Sequence, residues 1–412
     1  MRILHTSDWH LGRTLEGRSR LEEQAEFIDE LCDLVAAEGI HLIVIAGDIF
    51  DAYNPPAEAE NLFFEALERL SGGGKRAVVA IAGNHDSPER LRASNPLALP
   101  HGICLVGYPL EELPAGRGRG GVERVACGPG WLELKIPGCE EHVVVGCLAY
   151  PSEARLNEAL TRVLDDNRLQ QAYSERVRGI LQGVAARFRS DTVNLVVSHL
   201  YMAGGREAES ERPIQLGGAL AVDARALPAS AHYVALGHLH RPQGVEAAPV
   251  PCRYAGSPLA YSFSETDQPK EVVIVEARPG AEASVSRVPL GCGRPLKTWR
   301  ASSLEEFWTW CRDRENLRCW VDLEIKATEP LLPQEVAEIR GRHPGVVNIR
   351  VVLPEGEERV SGFRREGLPI KEQFRLFAAR QLGYDPPAEL VDLFLELLDL
   401  NGGPAGEGRE DA

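Results

Sequence analysis

The sequence predicts an α/β fold in which largely parallel sheets are covered by helices. The first observation is a series of short Val, Ile and Leu runs within residues 1–275, each followed by a polar loop. Because these runs are apolar throughout, they are typical of strands that are buried on both faces. The second observation is that helical stretches separate several of the runs, as in βαβ units. At 412 residues, the chain is long enough for two or three domains.

The predicted strands recur along the first 275 residues. They are RILHT, HLIVIAG, AVVAIAG, HVVVGCLAY, VNLVVSH, HYVALGH and EVVIVEA. A helix is predicted over residues 22–39, because apolar residues recur there at helical spacing and Gly39 ends the pattern. The charged segment 152–190 predicts one or two amphipathic helices on the outside of a sheet.

The pattern changes after residue 275, which we take as the end of the first domain. Two strands, over 319–327 and 346–354, with a helix between them, predict a small βαβ-like domain within residues 276–360. Residues 361–400 predict two amphipathic helices, separated by a Pro-Pro pair. Their apolar faces contain Phe374, Phe377, Ala378 and Leu382, and then Leu390, Val391, Phe394, Leu395 and Leu398. Residues 401–412 are polar and Gly-rich and are predicted to be disordered.

Composition excludes several classes of protein. The net charge of −16 argues against a simple nucleic-acid binder, although metal ions can neutralise local carboxylates. No apolar run approaches the ~20 residues of a spanning helix, and the N-terminus lacks the apolar core of a secretory signal. Nine cysteines, with no CxxC pair, argue against a disulfide framework. We therefore expect a cytoplasmic protein with no membrane partner.

Polar side chains that can bind metals follow five of the predicted strands. They are Asp8 and His10, Asp48 and Asp51, Asn84, His85 and Asp86, His199, and His238 and His240. Ligands of open α/β sheets gather beyond the carboxyl ends of the strands, so residues that are distant in the chain can meet there. In an extended backbone, His238 and His240 also point to the same side. We therefore expect one site built from five strand ends.

These residues offer carboxylates, one amide oxygen and several imidazoles, but no thiolate. The mixture suits two borderline divalent ions such as Mn²⁺, Fe²⁺ or Zn²⁺ better than Mg²⁺, which prefers oxygen. Two such ions, about 3.5–4 Å apart, hold the attacking and leaving oxygens of an in-line displacement at phosphorus. Taken singly, each motif has an ordinary structural explanation as a buried histidine, a turn or a helix N-cap. Five in succession favour a two-metal site.

The motifs DxH, GDxxD, GNHD, a single histidine after a strand, and GHxH occur in the order that resembles the calcineurin-like metallophosphoesterases. The resemblance covers about residues 1–275 and implies a four-layer α/β/β/α sandwich with a small α/β capping domain and a helical tail. It implies that Asp8, His10 and His240 bind one metal, that Asn84, His199 and His238 bind the other, and that Asp48 bridges them. His85 would protonate the leaving oxygen, and Asp86 or Asp51 would orient its imidazole.

Within this family, the sequence resembles DNA nucleases that act with a coiled-coil ATPase. Arg13, Arg18 and Arg20 follow the DWH motif and could hold a nucleic-acid backbone, since Arg binds phosphate in a bidentate manner; a solvated loop is the alternative. The polar loop 205–218 and the segment 253–265 also resemble these nucleases. The resemblance implies a manganese-dependent 3′→5′ exonuclease on duplex ends. It also implies endonuclease activity on single strands and hairpins, in DNA repair, recombination and replication at the nucleoid.

The same resemblance implies two protein partners. The helices of 361–400 would bind the base of the ATPase coiled coil, unless they pack on their own domain instead. A second copy of the chain would form a homodimer, and with the ATPase a heterotetramer, through the apolar face of residues 56–70. That face would serve equally well to cover the sheet. Because the sequence has no GxxxxGK[ST] stretch, ATP chemistry would come from the partner.

Two other functions stay open on the sequence alone. A phosphodiesterase or phosphatase for small molecules or phosphoproteins would use the same metal ligands, but the capping-like domain and the tail argue against it. A scaffold that holds DNA ends or the ATPase without cutting would not need a complete set of metal ligands together with His85.

Overall fold

The computed structural model describes residues 1–156, 166–211, 221–314 and 316–352, together with individual residues of the tail between 370 and 395. The chain forms two units, Met1–Val352 and Leu353–Ala412. The predicted disordered segment 401–412 lies outside the described residues, as do Phe377, Leu382 and Leu398 of the predicted tail helices. Within the described ranges, no helix has the length and apolar character needed to cross a membrane.

Two mixed sheets form the centre of the first unit. The strands of the six-stranded sheet are, in spatial order, Ser284–Pro289, Glu271–Glu276, Arg2–Thr6, Leu42–Ile45, Ala77–Ile81 and Ile103–Val106. Those of the eight-stranded sheet are Gln243–Gly244, Cys252–Tyr254, Tyr233–Gly237, Thr192–His199, His142–Leu148, Trp131–Lys135, Glu123–Gly128 and Gly116–Arg117. Four neighbouring strands in each sheet are parallel. All seven predicted strands are present. The structure adds others, most of which lack a continuous apolar run; Ile103–Val106 has such a run and was not predicted.

The sheets stack face to face between helices. In the strand Thr192–His199, Val193 and Leu195 point into the core between the sheets, whereas Val196 packs on the other side. That other side is covered by the helix Asp166–Ala185, through Val177 and Leu181. Because side chains alternate across a strand, one apolar run serves two cores. The predicted α/β/β/α sandwich is therefore confirmed.

The remaining helices cover the six-stranded sheet, connect strands or belong to the small module. They are Leu21–Ala37, Ala57–Ser71, Pro88–Ala93, Asn95–Ala98, Glu153–Leu156, Leu304–Trp310 and Pro333–Arg342, with 3₁₀ turns at Leu99–His101, Ala224–Ala226, Phe263–Glu265 and Asn316–Arg318. The apolar face of Ala57–Ser71 packs into the chain's own core through Phe63, Ala66 and Leu67. This face therefore covers the sheet, and it is not available to a second copy of the chain.

The small module begins later than the sequence predicts. Strand Ser284–Pro289 pairs with Glu271–Glu276 and so extends the six-stranded sheet beyond residue 275. The module is a parallel three-stranded sheet of Leu296–Ala301, Trp320–Lys326 and Val346–Val352, packed against two of the helices. The boundary at 275 is therefore wrong, because the strand after it is a half-exposed edge strand without an apolar run.

Glu23 ties the module to the phosphoesterase part of the same unit. Its carboxylate accepts hydrogen bonds from Arg20 Nε at 2.6 Å and from Trp320 Nε1 at 2.8 Å. It also accepts from the backbone N–H of Arg294 at 2.6 Å. Glu23 and Arg20 are both almost fully buried. One carboxylate thus joins the first helix, the segment before the module and the module's central strand.

The second unit contains the two predicted tail helices in part. Residues 370–372, 374, 375 and 378 are helical, as are 390, 391 and 393–395. The rings of Phe374 and Phe394 stack in parallel with centroids 3.8 Å apart, so the two apolar faces meet. Ile370 and Leu393 are each about half exposed, at 54% and 51%.

Replacing Glu23 with Ala is expected to lower the free energy of unfolding by about 3–5 kcal/mol, because it leaves the buried Arg20 charge without its partner. Chemical denaturation followed by circular dichroism measures the change. Glu22→Ala is the matched control: this neighbouring side chain is exposed, and its loss should change stability by less than about 0.5 kcal/mol. Equal effects of the two variants would contradict the role of Glu23.

Candidate metal centre

The candidate ligands lie where parallel strands of both sheets end. Asp8 and His10 follow Arg2–Thr6, and Asp48 follows Leu42–Ile45 in the six-stranded sheet. From the eight-stranded sheet come His199, at the end of its strand, and His238 and His240, just after theirs. Between the two ligands of the DWH motif, Trp9 points into the core, with its ring edge-to-face against Phe27 at 5.4 Å. Because successive side chains point in alternate directions, Trp9 points into the core and its neighbours Asp8 and His10 point to the site.

The backbone at the ligands is held in uncommon conformations. Five non-glycine residues of the described chain have a positive φ in the left-handed range, and four of them are candidate ligands. The values are 53° for Asp8, 46° for His10, 48° for Asp48 and 110° for His238. Such conformations cost about 1–3 kcal/mol each and cluster at functional sites. The fold therefore bends the chain at each of these strand ends to aim the side chain.

Two glycines allow the loops to approach one another. A Cβ on Gly83 would lie 2.1 Å from Asp48 Oδ1 and 2.2 Å from the backbone nitrogen of Asp48. A Cβ on Gly237 would lie 1.9 Å from the carbonyl oxygen of Ala46. Each glycine directly precedes a ligand, Asn84 or His238. The glycines of the GNHD and GHxH motifs are therefore required by close backbone approach.

The first group of donors consists of Asp8, His10 and His240, all fully buried or nearly so. The Nε2 atoms of the two histidines are 2.9 Å apart. Two neutral imidazoles can face each other in this way only if one Nε2 donates a hydrogen bond to the other. A bound cation would instead accept a lone pair from each Nε2 atom. This donor set fits a borderline divalent cation.

The second group consists of Asn84, His199 and His238, together with Asp48. The Asn84 side-chain oxygen lies 2.9 Å from His199 Nε2 and 3.0 Å from His238 Nδ1. The backbone amide of His238 is anchored by Asp8 Oδ1 at 2.9 Å, which links the two groups. One amide oxygen and two imidazole nitrogens thus face a common point.

Asp48 stands between the two groups. Its Oδ2 atom lies 3.7 Å from His10 Nε2 and 3.5 Å from His199 Nε2. Its other oxygen accepts the backbone N–H of His85 at 2.8 Å, which fixes the plane of the carboxylate. Asp48 therefore lies between the two donor groups, and the bridging role that the resemblance implies stays a prediction.

The pKa values of the candidate ligands are those expected of a site that binds either protons or cations. Burial raises the pKa of Asp8 to about 8 and lowers the pKa of His10 to about 4. Burial alone would lower the pKa of His199, but the adjacent Asp48 carboxylate raises it to about 9. Asp8 and His199 therefore both hold a proton more readily than they would in water. Cations that bind here must release those protons.

Comparison with known proteins agrees with this geometry. The family model of the calcineurin-like phosphoesterases matches residues 1–242. The chain is 47% identical over 399 positions to the D subunit of the SbcCD nuclease of Bacillus subtilis (strain 168), which covers 96% of this chain and 97% of that protein.

The chain belongs to the SbcD family of calcineurin-like phosphoesterases.

Two further relatives show how far the SbcD likeness extends. The chain is 30% identical to the D subunit of the SbcCD nuclease of Escherichia coli (strain K12), over 97% of this chain and 98% of that protein. It is 34% identical to the corresponding protein of Rhodobacter capsulatus, over 68% of this chain and 67% of that protein. The likeness to the Bacillus and Escherichia proteins therefore includes the small module and the tail, beyond the family model.

His85 lies beside the metal ligands of this SbcD-family site but has a different environment. Its ring is 4.7 Å from the ring of His10, and its Nε2 atom lies 3.9 Å from Asp48 Oδ2. Its Nδ1 atom lies 2.7 Å from the backbone carbonyl of Asp51, which can only accept, so Nδ1 carries a proton. Nε2 is therefore the atom that faces the site.

Neither the Asp51 carboxylate nor the Asp86 carboxylate orients the His85 ring. Asp51 orients the ring through its backbone carbonyl, while its side chain lies 3.3 Å from His10 Nδ1. The Asp86 carboxylate accepts hydrogen bonds from three backbone amides, those of Ile49, Phe50 and Gly83. The prediction that Asp86 is catalytic is wrong, because its carboxylate is fully used in joining two loops. It is a positioning residue.

The three predicted DNA-contacting arginines have different environments. Arg20 is 1% exposed, is paired with Glu23 and donates to the carbonyl of Ala260, so its assignment to DNA is wrong. Arg13 lies over the ring of Tyr261 at 5.0 Å and reaches Asp51 Oδ1 at 3.5 Å, so it lies at the edge of the site. Arg18 is exposed on the hairpin of Thr14–Leu15 and Arg18–Ser19.

Several residues of the centre had no sequence signal of their own. Arg155 donates to the carbonyls of Gly83 at 2.6 Å and Asp86 at 2.7 Å, and so fixes the GNHD turn. Ser210 and Tyr261 lie behind the histidines of the first group. Arg155 lies in the segment 152–190 that was predicted to be helical, Ser210 in the predicted polar loop 205–218, and Tyr261 in the segment 253–265. Residue type alone does not distinguish them from surface residues.

Gly83→Ala is expected to lower Mn²⁺ affinity by about tenfold or more, because the new Cβ displaces Asp48, the candidate bridging ligand. Overpacking should also destabilise the fold by about 1–3 kcal/mol. Calorimetric titration with Mn²⁺ and thermal unfolding measure the two effects.

Gly179→Ala is the control for this substitution. This glycine lies within the helix Asp166–Ala185 with open space around it, so alanine there should stabilise the helix by about 0.5–1 kcal/mol and leave metal binding unchanged. Mn²⁺ binding by Gly83→Ala that matches the unsubstituted chain would refute the close-approach argument.

Proposed function

We propose that this chain is the nuclease subunit of an SbcCD-type complex and that it hydrolyses DNA phosphodiester bonds with two divalent cations. The observation that carries the proposal is that two donor groups converge on Asp48, with His85 Nε2 next to them. The proposed ligands are Asp8, His10 and His240 for one cation, and Asn84, His199 and His238 for the other. Asp48 would contact both.

The cations are proposed to be Mn²⁺, because the donor set mixes imidazole nitrogens with carboxylate and amide oxygens. When bound, such a pair supplies positive charge to the phosphate and acidifies a water molecule. The chain's own residues orient the reaction. In the doubly protonated form of His85, Nδ1–H donates to the Asp51 carbonyl and Nε2–H gives its proton to the leaving oxygen, which leaves a neutral imidazole. Arg13 can contact a phosphate at the edge of the site.

The shape of the surface beside the centre supports a polymeric substrate. A cleft of about 810 Å³ lies between the phosphoesterase part and the small module. Arg13 and Tyr261 line the side next to the metal centre, and Asn348 and Arg350 line the side of the module. A phosphodiesterase for small molecules would not need a second wall of this kind. The position of the cleft, beside the candidate metal centre and with a second wall from the module, therefore favours a nucleic-acid strand.

The finer activities follow from the resemblance to SbcD-type nucleases. We propose 3′→5′ exonuclease activity on duplex ends and endonuclease activity on single strands and hairpins. We propose that this activity serves DNA repair, recombination and replication in the cytoplasm, at the nucleoid. A scaffold without cleavage activity is disfavoured, because strain at four ligands and the position of His85 have no use in a protein that only holds DNA.

We propose that an SbcC-type coiled-coil ATPase is the main protein partner. The relatives are named as D subunits of SbcCD. In the second unit, Ile370, Leu390 and Leu393 are exposed on the two helices that meet through Phe374 and Phe394. These apolar side chains would contact the ATPase. A homodimer, giving a heterotetramer with the ATPase, is also proposed, and it must use a surface other than the buried face of Ala57–Ser71.

His85→Ala is expected to retain both cations and to lose DNA cleavage by about 10²–10⁴-fold, since it removes a general acid and no ligand. Digestion of end-labelled duplex DNA with Mn²⁺, with and without the ATPase, measures cleavage; calorimetry measures metal binding. The matched control is His101→Ala, an exposed histidine, which should cleave as the unsubstituted chain does. Unchanged cleavage by His85→Ala would refute the general-acid role. A chain that binds Mn²⁺ but leaves DNA intact would refute the nuclease proposal.

DNA binding by the isolated chain is expected to be weak and salt-sensitive, since the net charge is −16 and few arginines lie near the cleft. Arg18→Ala should weaken binding for all sequences and reduce the slope of log affinity against log salt by about 1. Fluorescence anisotropy with a labelled duplex measures both. Arg117→Ala, exposed on an edge strand of the eight-stranded sheet, is the control and should have no effect. A nanomolar, salt-insensitive complex would contradict this picture.

A further inference from the structure

His240 is held at three separate points. Its backbone N–H donates to Glu211 Oε1 at 2.7 Å, and its carbonyl accepts from Lys270 Nζ at 3.2 Å. Its ring Nδ1 lies 2.5 Å from Ser210 Oγ. By contrast, the ring of His199 has a backbone carbonyl, that of Ala46, behind its Nδ1. The support behind His240 is therefore made of side chains from several parts of the chain.

The hydrogen bonds behind His240 have a defined direction. Its Nε2 atom faces His10 Nε2 and the first donor group, so that nitrogen must offer a lone pair to a cation. Nδ1 then carries the ring proton and donates it to Ser210 Oγ. Ser210 has one proton of its own, which goes to Glu265 Oε1 at 2.5 Å, since a carboxylate can only accept. The serine thus connects the imidazole to a buried carboxylate.

Lys270 completes the chain of contacts. Its ammonium group donates to Glu265 Oε2 at 2.5 Å, to Ser257 Oγ at 2.9 Å and to the His240 carbonyl. These three bonds use all three of its protons. Glu265 is fully buried and the Lys270 side chain is 9% exposed, so the pair balances its charge inside the protein. Neither residue contacts the candidate metal positions, and neither is used in the proposed cleavage step.

We propose that Ser210, Glu265 and Lys270 form a positioning relay for His240, and that this relay sets the affinity of the metal site of Asp8, His10 and His240. The proposal rests on the two-metal function above. A carboxylate behind a ligand histidine fixes the ring tautomer and orientation and makes the free nitrogen a stronger donor. Here a serine hydroxyl extends that arrangement by one step. The second metal site has no such relay behind His199, so the relay acts on one of the two cations.

Ser210 also links the relay to the cleft. Its backbone carbonyl accepts from Arg13 Nη2 at 2.9 Å, and the residue lines the cleft beside Tyr261. One residue therefore contacts a metal ligand through its side chain and an edge arginine through its backbone. Replacing the side chain leaves the Arg13 contact in place, which makes the serine hydroxyl separately testable.

The experiment is a calorimetric titration of the full chain with Mn²⁺. The unsubstituted chain should bind two ions, and Ser210→Ala should weaken one of them by about 10–100-fold while leaving the other unchanged. Ser210→Thr keeps a hydroxyl and should restore the affinity. Ser284→Ala removes an exposed hydroxyl on the edge strand Ser284–Pro289 and is the control, with no change expected. Glu265→Gln keeps the shape of the side chain and removes its charge, and it should weaken the same site.

Cleavage as a function of Mn²⁺ concentration provides a second readout. Ser210→Ala should approach the unsubstituted rate at high Mn²⁺, whereas His85→Ala should not recover. Circular dichroism of the metal-free variants checks that they fold. If Ser210→Ala and Glu265→Gln both bind two ions with unchanged affinity, the relay is refuted. If the unsubstituted chain binds two ions but does not cut DNA, the nuclease proposal fails and the relay stands.

Discussion

The buried Asp48 carboxylate is the constraint on which the rest of the site depends. It lies between two groups of donors, with one oxygen within 4 Å of an imidazole from each group. A buried carboxylate is costly unless positive charge lies close to it. The Asp48 carboxylate raises the pKa of His199, which favours a positive charge beside it, and two cations would supply such charge from both groups. Parallel strands of both sheets end near this carboxylate, and the candidate ligands at those strand ends therefore occupy the same small volume.

Bringing five loops to one carboxylate requires unusual local structure. The backbone is left-handed at four ligands, and glycines occupy the places where a Cβ would strike a neighbouring loop. Two positioning residues then hold the GNHD turn from opposite sides. Asp86 accepts a hydrogen bond from a backbone N–H group of the turn, and Arg155 donates hydrogen bonds to two of its backbone carbonyls. Together they satisfy both kinds of backbone group at a turn that has no regular hydrogen bonds.

The cleft that would hold the substrate depends on a different contact, which lies outside the candidate metal centre. Glu23 fixes the small module through Trp320 and Arg294, and the module forms the far wall of the cleft. The same carboxylate holds Arg20, whose neighbours form the exposed hairpin that carries Arg18. Gln24, the next residue of the first helix, donates to the backbone carbonyl of His10 at 2.8 Å, so this helix connects the cleft wall with the candidate metal ligands.

The sequence by itself predicted the layered fold, the seven strands and the seven candidate ligands that the structure brings together beside His85. It could do so because each ligand directly follows its own strand, so local order carries the information. Only the tertiary structure decided the roles of the supporting residues. Arg18 and Arg20 are two positions apart and of the same type, yet one is exposed and the other is buried against Glu23. Asp86, Ser210 and the boundary after Pro289 likewise depend on contacts between segments that are distant in the chain. Such contacts leave no periodic pattern in the sequence, because a hydrogen bond to a distant segment places no demand on the residues next to it.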